Sequence, residues 1–240
     1  MFRNPLNSRV PRPSQPHRDG WDVYRSLTIV FLFLLALIAT PSRAFGDAGS
    51  KQQDKAVLAI LADQSPLVLK LSIHDTIQPI TAEYLKRGLD AAASRHASAV
   101  LISMGTPGGL LESTRQMVAD IDASPVPVIL FIEPSGSRAG SAGFFLLESA
   151  DIAAMAPGTN AGAAHPIIEG TTMDPVLKEK IENDAVAFLR SYTGIRGRDS
   201  AAAEDAVRNS KSYSADEALK LHLIDQIAPN DDALLAALNG

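Results

Sequence analysis

The chain has 240 residues, 46% of them apolar and 20% charged, which allows one sizeable domain with a proper core and excludes a disordered chain. A net charge of −5, with no basic stripe interleaved with aromatics, excludes a nucleic-acid partner. Cysteine is absent, which excludes disulfides, thiol catalysis and cysteine metal sites.

Residues 1–46 are set apart from the rest of the chain. A Pro- and Arg-rich stretch ends at Arg25, and an apolar run extends from Leu27 to Ala39. That run is shorter than the roughly 18–20 residues that a membrane-spanning helix needs. It has the length of a signal-peptide core, and Ser42 and Ala44 supply small residues in an A-x-A-like pattern. Residues 1–46 therefore read as a signal peptide or an N-terminal membrane anchor. Both place the remainder of the chain outside the cytoplasm, in the periplasm or at an extracytoplasmic membrane face. Residues 47–64 read as a polar linker with an alanine-rich end, and 65–240 as the folded domain.

The domain opens with "PLVLKLSI", a β-type run from Pro66 to Ile73. "TAEYLKRGLDAAASRHA" predicts an amphipathic helix with Tyr84, Leu85, Leu89 and Ala92 on one face. "SAVLISM" predicts a buried strand that "GTPGG" interrupts, and "LLESTRQMVADIDAS" a second helix. "PVPVILFI" is a third strand, led by prolines that a strand tolerates at its start. A glycine-rich joint, "EPSGSRAGSAGFFL", comes next. "ADIAAMAPGTNAGAAHPI" gives a short strand and another glycine-rich loop, and "DPVLKEKIENDAVAFLRSYTGIRG" a long helix. "SADEALKLHLIDQIA" is a helix with Ser214 and Glu217 in capping-box register, running into a last short strand.

Strand–helix alternation of this kind predicts an α/β fold with a mostly parallel sheet and helices on its faces. The crossovers of such a sheet are right-handed, and ligand chemistry sits at the carboxyl ends of its strands. "GTPGG" and "PSGSRAGSAG" both fall at that end and are expected to meet in space.

The second of these loops is not a phosphate cradle. G-x-x-x-x-G-K-S/T requires a lysine that is missing here, and Gly136 and Gly140 are one residue too close. "AGSAG" is a near miss of the G-x-S-x-G nucleophile elbow, with Ala139 at the first glycine. It would put Ser141 at a helix N-terminus, where free N–H groups and the helix dipole favour developing negative charge. The plain alternative is a capping serine in a glycine-rich turn. Backbone N–H groups of Gly109, from "TPGG", and of Ala142 could together form an oxyanion hole.

A serine nucleophile needs a base. Lys180 lies at the edge of a helical stripe of Leu177, Ile181, Asp184 and Phe188, partly buried among apolar groups. The structural alternative for Lys180 is an i,i+4 salt bridge to Asp184. His165, in "GAAHP", is the alternative base, set against a loop histidine bonded to backbone. The histidines show no pair at metal-binding helical spacing, so no metal is expected.

The segment "TPGGLLESTRQMVADIDASPVPVILFIEPSGSRAGSAGFFLLESADIAAMAPGTNAGAAHP" resembles the NfeD-type membrane-associated serine peptidases. These stomatin-operon partner proteases belong to the Clp-protease/crotonase-like superfamily. The resemblance runs from about Leu67 to Ala228 and includes the K-x-x-N-D helix and the S-A-x-E-A-L…L-I-D segment. It implies a Clp-protease/crotonase-like fold and an exported serine endopeptidase that uses no cofactor. It carries a Ser–Lys dyad onto Ser141 and Lys180, with oxyanion donors on Gly109 and Ala142. His165 lies near the place where related Clp peptidases carry a histidine base. The resemblance also implies a homodimer and a peptide or protein substrate with an apolar segment, such as a stomatin-like membrane protein. A crotonase-like acyl-thioester enzyme and a non-catalytic scaffold for a stomatin-like partner are the alternatives. Two departures stand out: Gly105 replaces a frequent Asp before TPGG, and His222 replaces a glycine at a helix end where φ is expected to be positive. Longer members continue past the position of Gly240 into membrane helices and a small β-barrel.

Overall fold

The computed structural model describes residues 66–167 and 174–239. The expected leader (1–46) and linker (47–64) lie outside them. Five strands form an all-parallel sheet in the order β1 (Val68–Ile73), β2 (Ala99–Met104), β3 (Val128–Ile132), β5 (Ile152–Met155) and β8 (Gln226–Ile227). The register runs Leu71 to Ile102 to Leu130 to Ala153, so the carboxyl ends of β1, β2 and β3 lie level.

Helices α1 (Pro79–Ser94) and α2 (Leu111–Asp122) connect the first three strands. The apolar positions of α1 recur at helical spacing, and its buried face is Ala82, Leu85, Gly88, Leu89 and Ala92. Tyr84 is not on that face. It is half-exposed, and its hydroxyl accepts a hydrogen bond from the Ser72 N–H at 3.2 Å at the free edge of β1. An aromatic ring with a polar tip suits such an edge better than the core.

Alternation along β2 and β3 divides the interior. Val100, Ile102, Met104, Val128, Leu130 and Ile132 enter the main core, against α1, α2 and α3 (Ala142–Ser149). Leu101, Ile129, Phe131 and Ala154 point to the other face, where α7 (Asp231–Leu238) covers them with Leu234. Strands buried on both faces read as continuous apolar runs, which is why neither face could be told from the sequence. Each such large side chain contributes about 1.5–3 kcal/mol by leaving water.

A second, three-stranded sheet was not anticipated. Its strands are β4 (Arg138–Gly140), β6 (Asn160–Gly162) and β7 (Ser212–Ser214), with β4 and β6 parallel and β6 and β7 antiparallel. Each strand has three residues, too short for alternation to register. Helices α4 (Pro175–Thr193), α5 (Ser200–Arg208) and α6 (Ala215–Lys220) complete the described residues. The expected capping box closes α6: the Ser214 hydroxyl accepts from the Glu217 N–H, and the Glu217 carboxylate accepts from the Ser214 N–H. His222 comes just after that helix at φ 55°, and the bonds from His222 N–H to Leu219 O and from Leu223 N–H to Ala218 O form a Schellman motif. Among the described residues no helix is long and apolar enough to cross a membrane.

Candidate active site

The two glycine-rich loops do meet. Thr106 N–H donates to Arg138 O at 2.8 Å, and Gly140 N–H donates to Thr106 O at 3.0 Å, which fastens the TPGG loop along β4. The fit is close enough to exclude side chains. A Cβ on Gly140 would lie 2.9 Å from Pro107 O, and one on Gly143 would lie 2.5 Å from the Thr106 methyl.

Ser141 stands between β4 and α3, half-buried, at φ 49° and ψ −113°. A positive φ is sparsely populated for a residue with a Cβ and stores roughly 1–3 kcal/mol of strain. The surrounding bonds hold it in place: Ser141 N–H donates to Gly162 O at 2.9 Å, and Phe144 N–H to Ser141 O at 2.9 Å. The Ser141 hydroxyl makes no capping bond to its own helix, so the capping-serine reading does not describe it. Strand, strained turn and helix are the parts of a nucleophile elbow.

The donors lie alongside. Ile77 N–H bonds Gly108 O at 2.8 Å, and Leu110 N–H bonds Ile77 O at 2.8 Å, which brackets Gly109 on both sides. Among the described residues neither the Gly109 N–H nor the Ala142 N–H has a hydrogen-bond acceptor. Ala142 is the first residue of α3, where a helix leaves its N–H unpaired. Gly109 and Ala142 both line the cavity that Ser141 faces.

That cavity has a volume of about 460 Å³. Gly109, Leu110, Leu111 and Thr114 form one wall, and Ser141, Ala142 and Phe145 another. Ala164, Pro166 and Ile167 lead away from β6, and α4 supplies Leu177, Lys180, Ile181 and Asp184. The lining is mainly apolar with a few polar groups, the composition of a site that holds an apolar ligand. Helix α4 begins here because Asp174 caps it, accepting from Val176 and Leu177 N–H at 3.0 and 3.2 Å, with Pro175 at the first turn.

Lys180 and Ser141 therefore share one cavity. Lys180 is exposed at its mouth, not partly buried as the stripe predicted, because Leu177, Ile181 and Asp184 face the open cavity and not the core. Its alternative salt bridge does not form: Asp184 pairs instead with Arg115 of α2 at 2.5 Å. His165 is not part of the cavity lining. Its Nδ1 lies 3.0 Å from Val207 O and 4.0 Å from Glu182. That is the backbone-bonded loop histidine weighed against the catalytic reading. Among the described residues no group of three His, Asp or Glu side chains converges to hold a metal ion.

Sequence reasoning passed over Gly108, Ile77 and Gly162, which position the donors and the serine through backbone atoms. It also passed over Arg115. Only the TPGG motif signalled any of them, since backbone contacts leave no mark on side-chain identity.

The family model described as NfeD1b, N-terminal domain, matches residues 67–235. Membrane-bound protease PH1510 of Pyrococcus horikoshii is 32% identical over 191 residues, covering 77% of this chain. The chain spans 43% of that relative's length. Among solved structures, the 1510-N membrane-bound stomatin-specific protease, as a lysine-to-alanine variant with a substrate peptide, superposes with a TM-score of 0.69. It is 30% identical, and the match covers 74% of this chain and 82% of that one. ClpP1 of Listeria monocytogenes, 17% identical, has the same fold, with a TM-score of 0.56 over 69% of this chain and 94% of that one.

Proposed function

We propose that this chain, which belongs to the NfeD1b N-terminal domain family, is a serine endopeptidase working through a Ser141–Lys180 dyad. The observation that carries the reading is one cavity lined by a strained serine, a lysine and two backbone N–H donors that have no acceptor among the described residues. Lys180, as an uncharged amine, takes the Ser141 hydroxyl proton as Oγ attacks a peptide carbonyl carbon. The developing oxyanion accepts hydrogen bonds from Gly109 and Ala142 N–H. The tetrahedral intermediate expels the amine, which leaves with the proton from Lys180, and an acyl ester remains on Ser141. Water, deprotonated by Lys180, then releases the acid.

The apolar lining favours substrates with an apolar segment. The related 1510-N protease is stomatin-specific and was solved with a substrate peptide. A stomatin-like membrane protein cut at an apolar stretch is the substrate class that this supports. With the leader pattern of residues 1–46, the reaction belongs at an extracytoplasmic membrane face, and a homodimer is the assembly proposed.

Activity-based labelling with a serine-reactive phosphonate tests the dyad. Label is expected on Ser141 in the wild type, and none in Ser141→Ala. It is expected to fall by at least a hundredfold in Lys180→Ala and to stay unchanged in His165→Ala. Full labelling of Ser141→Ala would overturn the nucleophile. Normal labelling of Lys180→Ala with loss in His165→Ala would transfer the base to the histidine.

A further inference from the structure

Lys180 has a carboxylate four residues on, at the spacing where lysine and aspartate on a helix pair with each other. Both side chains line the cavity. Such a pair would work against catalysis, because a carboxylate beside an ammonium stabilises its charged form and a base must give up that proton. In the structure the carboxylate is held elsewhere. Arg115, from the middle of α2, bonds Asp184 through Nη2 at 2.5 Å.

The arginine is itself fixed. Its guanidinium lies 4.2 Å from the centroid of the Phe188 ring, one turn beyond Asp184. Phe188 stacks on Phe145 at 6.0 Å between centroids and meets Tyr192 edge-on at 5.3 Å. Phe145 belongs to the helix that Ser141 starts and lines the same cavity. A planar cation on an aromatic face is more firmly oriented than a surface lysine, and it can hold a carboxylate through directed donors.

Several of the other charged groups around α4 are engaged with one another. Arg208 of α5 bonds Glu182 at 3.2 Å, and His165 lies 4.0 Å from the same carboxylate. Arg190 and Glu204 pair at 2.5 Å. Glu148 of α3 is fully buried near Arg198 and Tyr192, and Lys178 and Glu179 are exposed on α4 itself. Among the described residues Lys180 makes no ion pair, and Asp184 is the acid that helical spacing assigns to it.

We propose that Arg115 is a positioning residue that keeps Asp184 away from Lys180, leaving the lysine amine available to Ser141. The proposal rests on the Ser141–Lys180 dyad, and it assigns Arg115 a role through Asp184 and not through contact with substrate. The same ion pair joins α2, which the TPGG loop leads into, to α4, which carries the base.

The test reads the amine directly. In full-length protein, trace acetylation by acetic anhydride followed by peptide mass spectrometry reports the fraction of Lys180 that is unprotonated at each pH. In Arg115→Gln, acetylation of Lys180 near neutral pH should fall by about threefold, roughly half a pH unit, as Asp184 turns to the lysine. Arg115→Met keeps an apolar side chain on Phe188 and should show the same fall. The double variant Arg115→Gln/Asp184→Asn should return to the wild-type rate. Unchanged acetylation in both single variants, or no rescue in the double variant, would overturn the proposal. Parallel phosphonate labelling separates the two readings. A fall in acetylation without any fall in Ser141 labelling would leave the ion-pair competition standing and remove Lys180 from the dyad.

Discussion

Gly108 lies so close to Ser141 that a Cβ on the glycine would stand 2.7 Å from the Ser141 Cβ and 3.3 Å from its Oγ. The TPGG loop is thus packed directly on the serine, with Gly108 at φ 127°, a conformation that residues with a Cβ rarely adopt. Gly108→Ala is expected to displace either the loop or the serine and to lower kcat/KM by about a hundredfold or more, a loss typical of disturbing one oxyanion donor. Peptidase or phosphonate-labelling rates measured on protein with a native melting transition would check this.

Gly109 faces the opposite restriction. An added Cβ would fall 2.0 Å from Ile77 O, the acceptor that anchors Leu110. Gly109→Ala should break that anchor, move the donor and reduce activity at least as far as Gly108→Ala does. Hydrogen exchange at the Leu110 amide should quicken in the same variant. A protected Leu110 amide with full activity would count against the assignment.

Ser141 carries strain that its side chain does not need for folding. Ser141→Gly should abolish labelling and raise stability by about 1 kcal/mol, since glycine occupies positive φ freely. Ser141→Ala should abolish labelling without the gain. Denaturant melts of the three proteins distinguish these outcomes, and equal stability of all three would show that the turn stores no strain.

Glu148 is fully buried in the nucleophile helix, and neither carboxylate oxygen has a partner among the described residues. Burial holds its carboxyl well above the usual carboxylate range, with Arg198 nearby working the other way. The folded state therefore keeps a proton that the unfolded chain releases near pH 4.3, so stability falls as pH rises from there toward the folded value. The slope of that fall approaches about 1.4 kcal/mol per pH unit. Glu148→Gln removes the titration. It should melt at a higher temperature than wild type at pH 8 and at a similar temperature at pH 4. A constant difference across that range would refute the account.

His222 holds a left-handed conformation at the end of α6. His222→Gly should stabilise the domain by about 1 kcal/mol, because the Schellman bonds use backbone atoms alone and the side chain adds steric cost. Thermal melts at a pH above the histidine range would register it.

Much of the main sheet was legible in the sequence. β1, β2, β3 and β5 lie within the four apolar runs assigned to them, and α1, α2 and α4 within one to four residues of the periodic stretches. Long apolar runs and helical repeats announce themselves because burial acts on every residue of the element. The small sheet, α5 and α7 were not anticipated. Three-residue strands have too few positions to show a period. Helix α5 has nine residues, shorter than the stretch of about 11–18 over which helical periodicity is read. Tyr84 went to the wrong face for a related reason: spacing shows which residues share a stripe, but an edge strand with a free N–H decided where the phenol sits.

By itself the sequence determined the α/β alternation, the level of the two glycine-rich loops at the carboxyl ends of the strands, and the serine at a helix start. Those come from local chemistry: apolar periodicity, caps, and glycine where the chain must turn. Only the tertiary structure decided that Ser141 sits at φ 49° and that, among the described residues, the Gly109 and Ala142 N–H groups have no acceptor. It also turned Asp184 to Arg115 and not to Lys180. These depend on pairings between residues far apart in the chain, and helical spacing alone treats both partners of Asp184 as open. Arg115, whose guanidinium lies over the Phe188 ring, is the partner that the fold brings to Asp184.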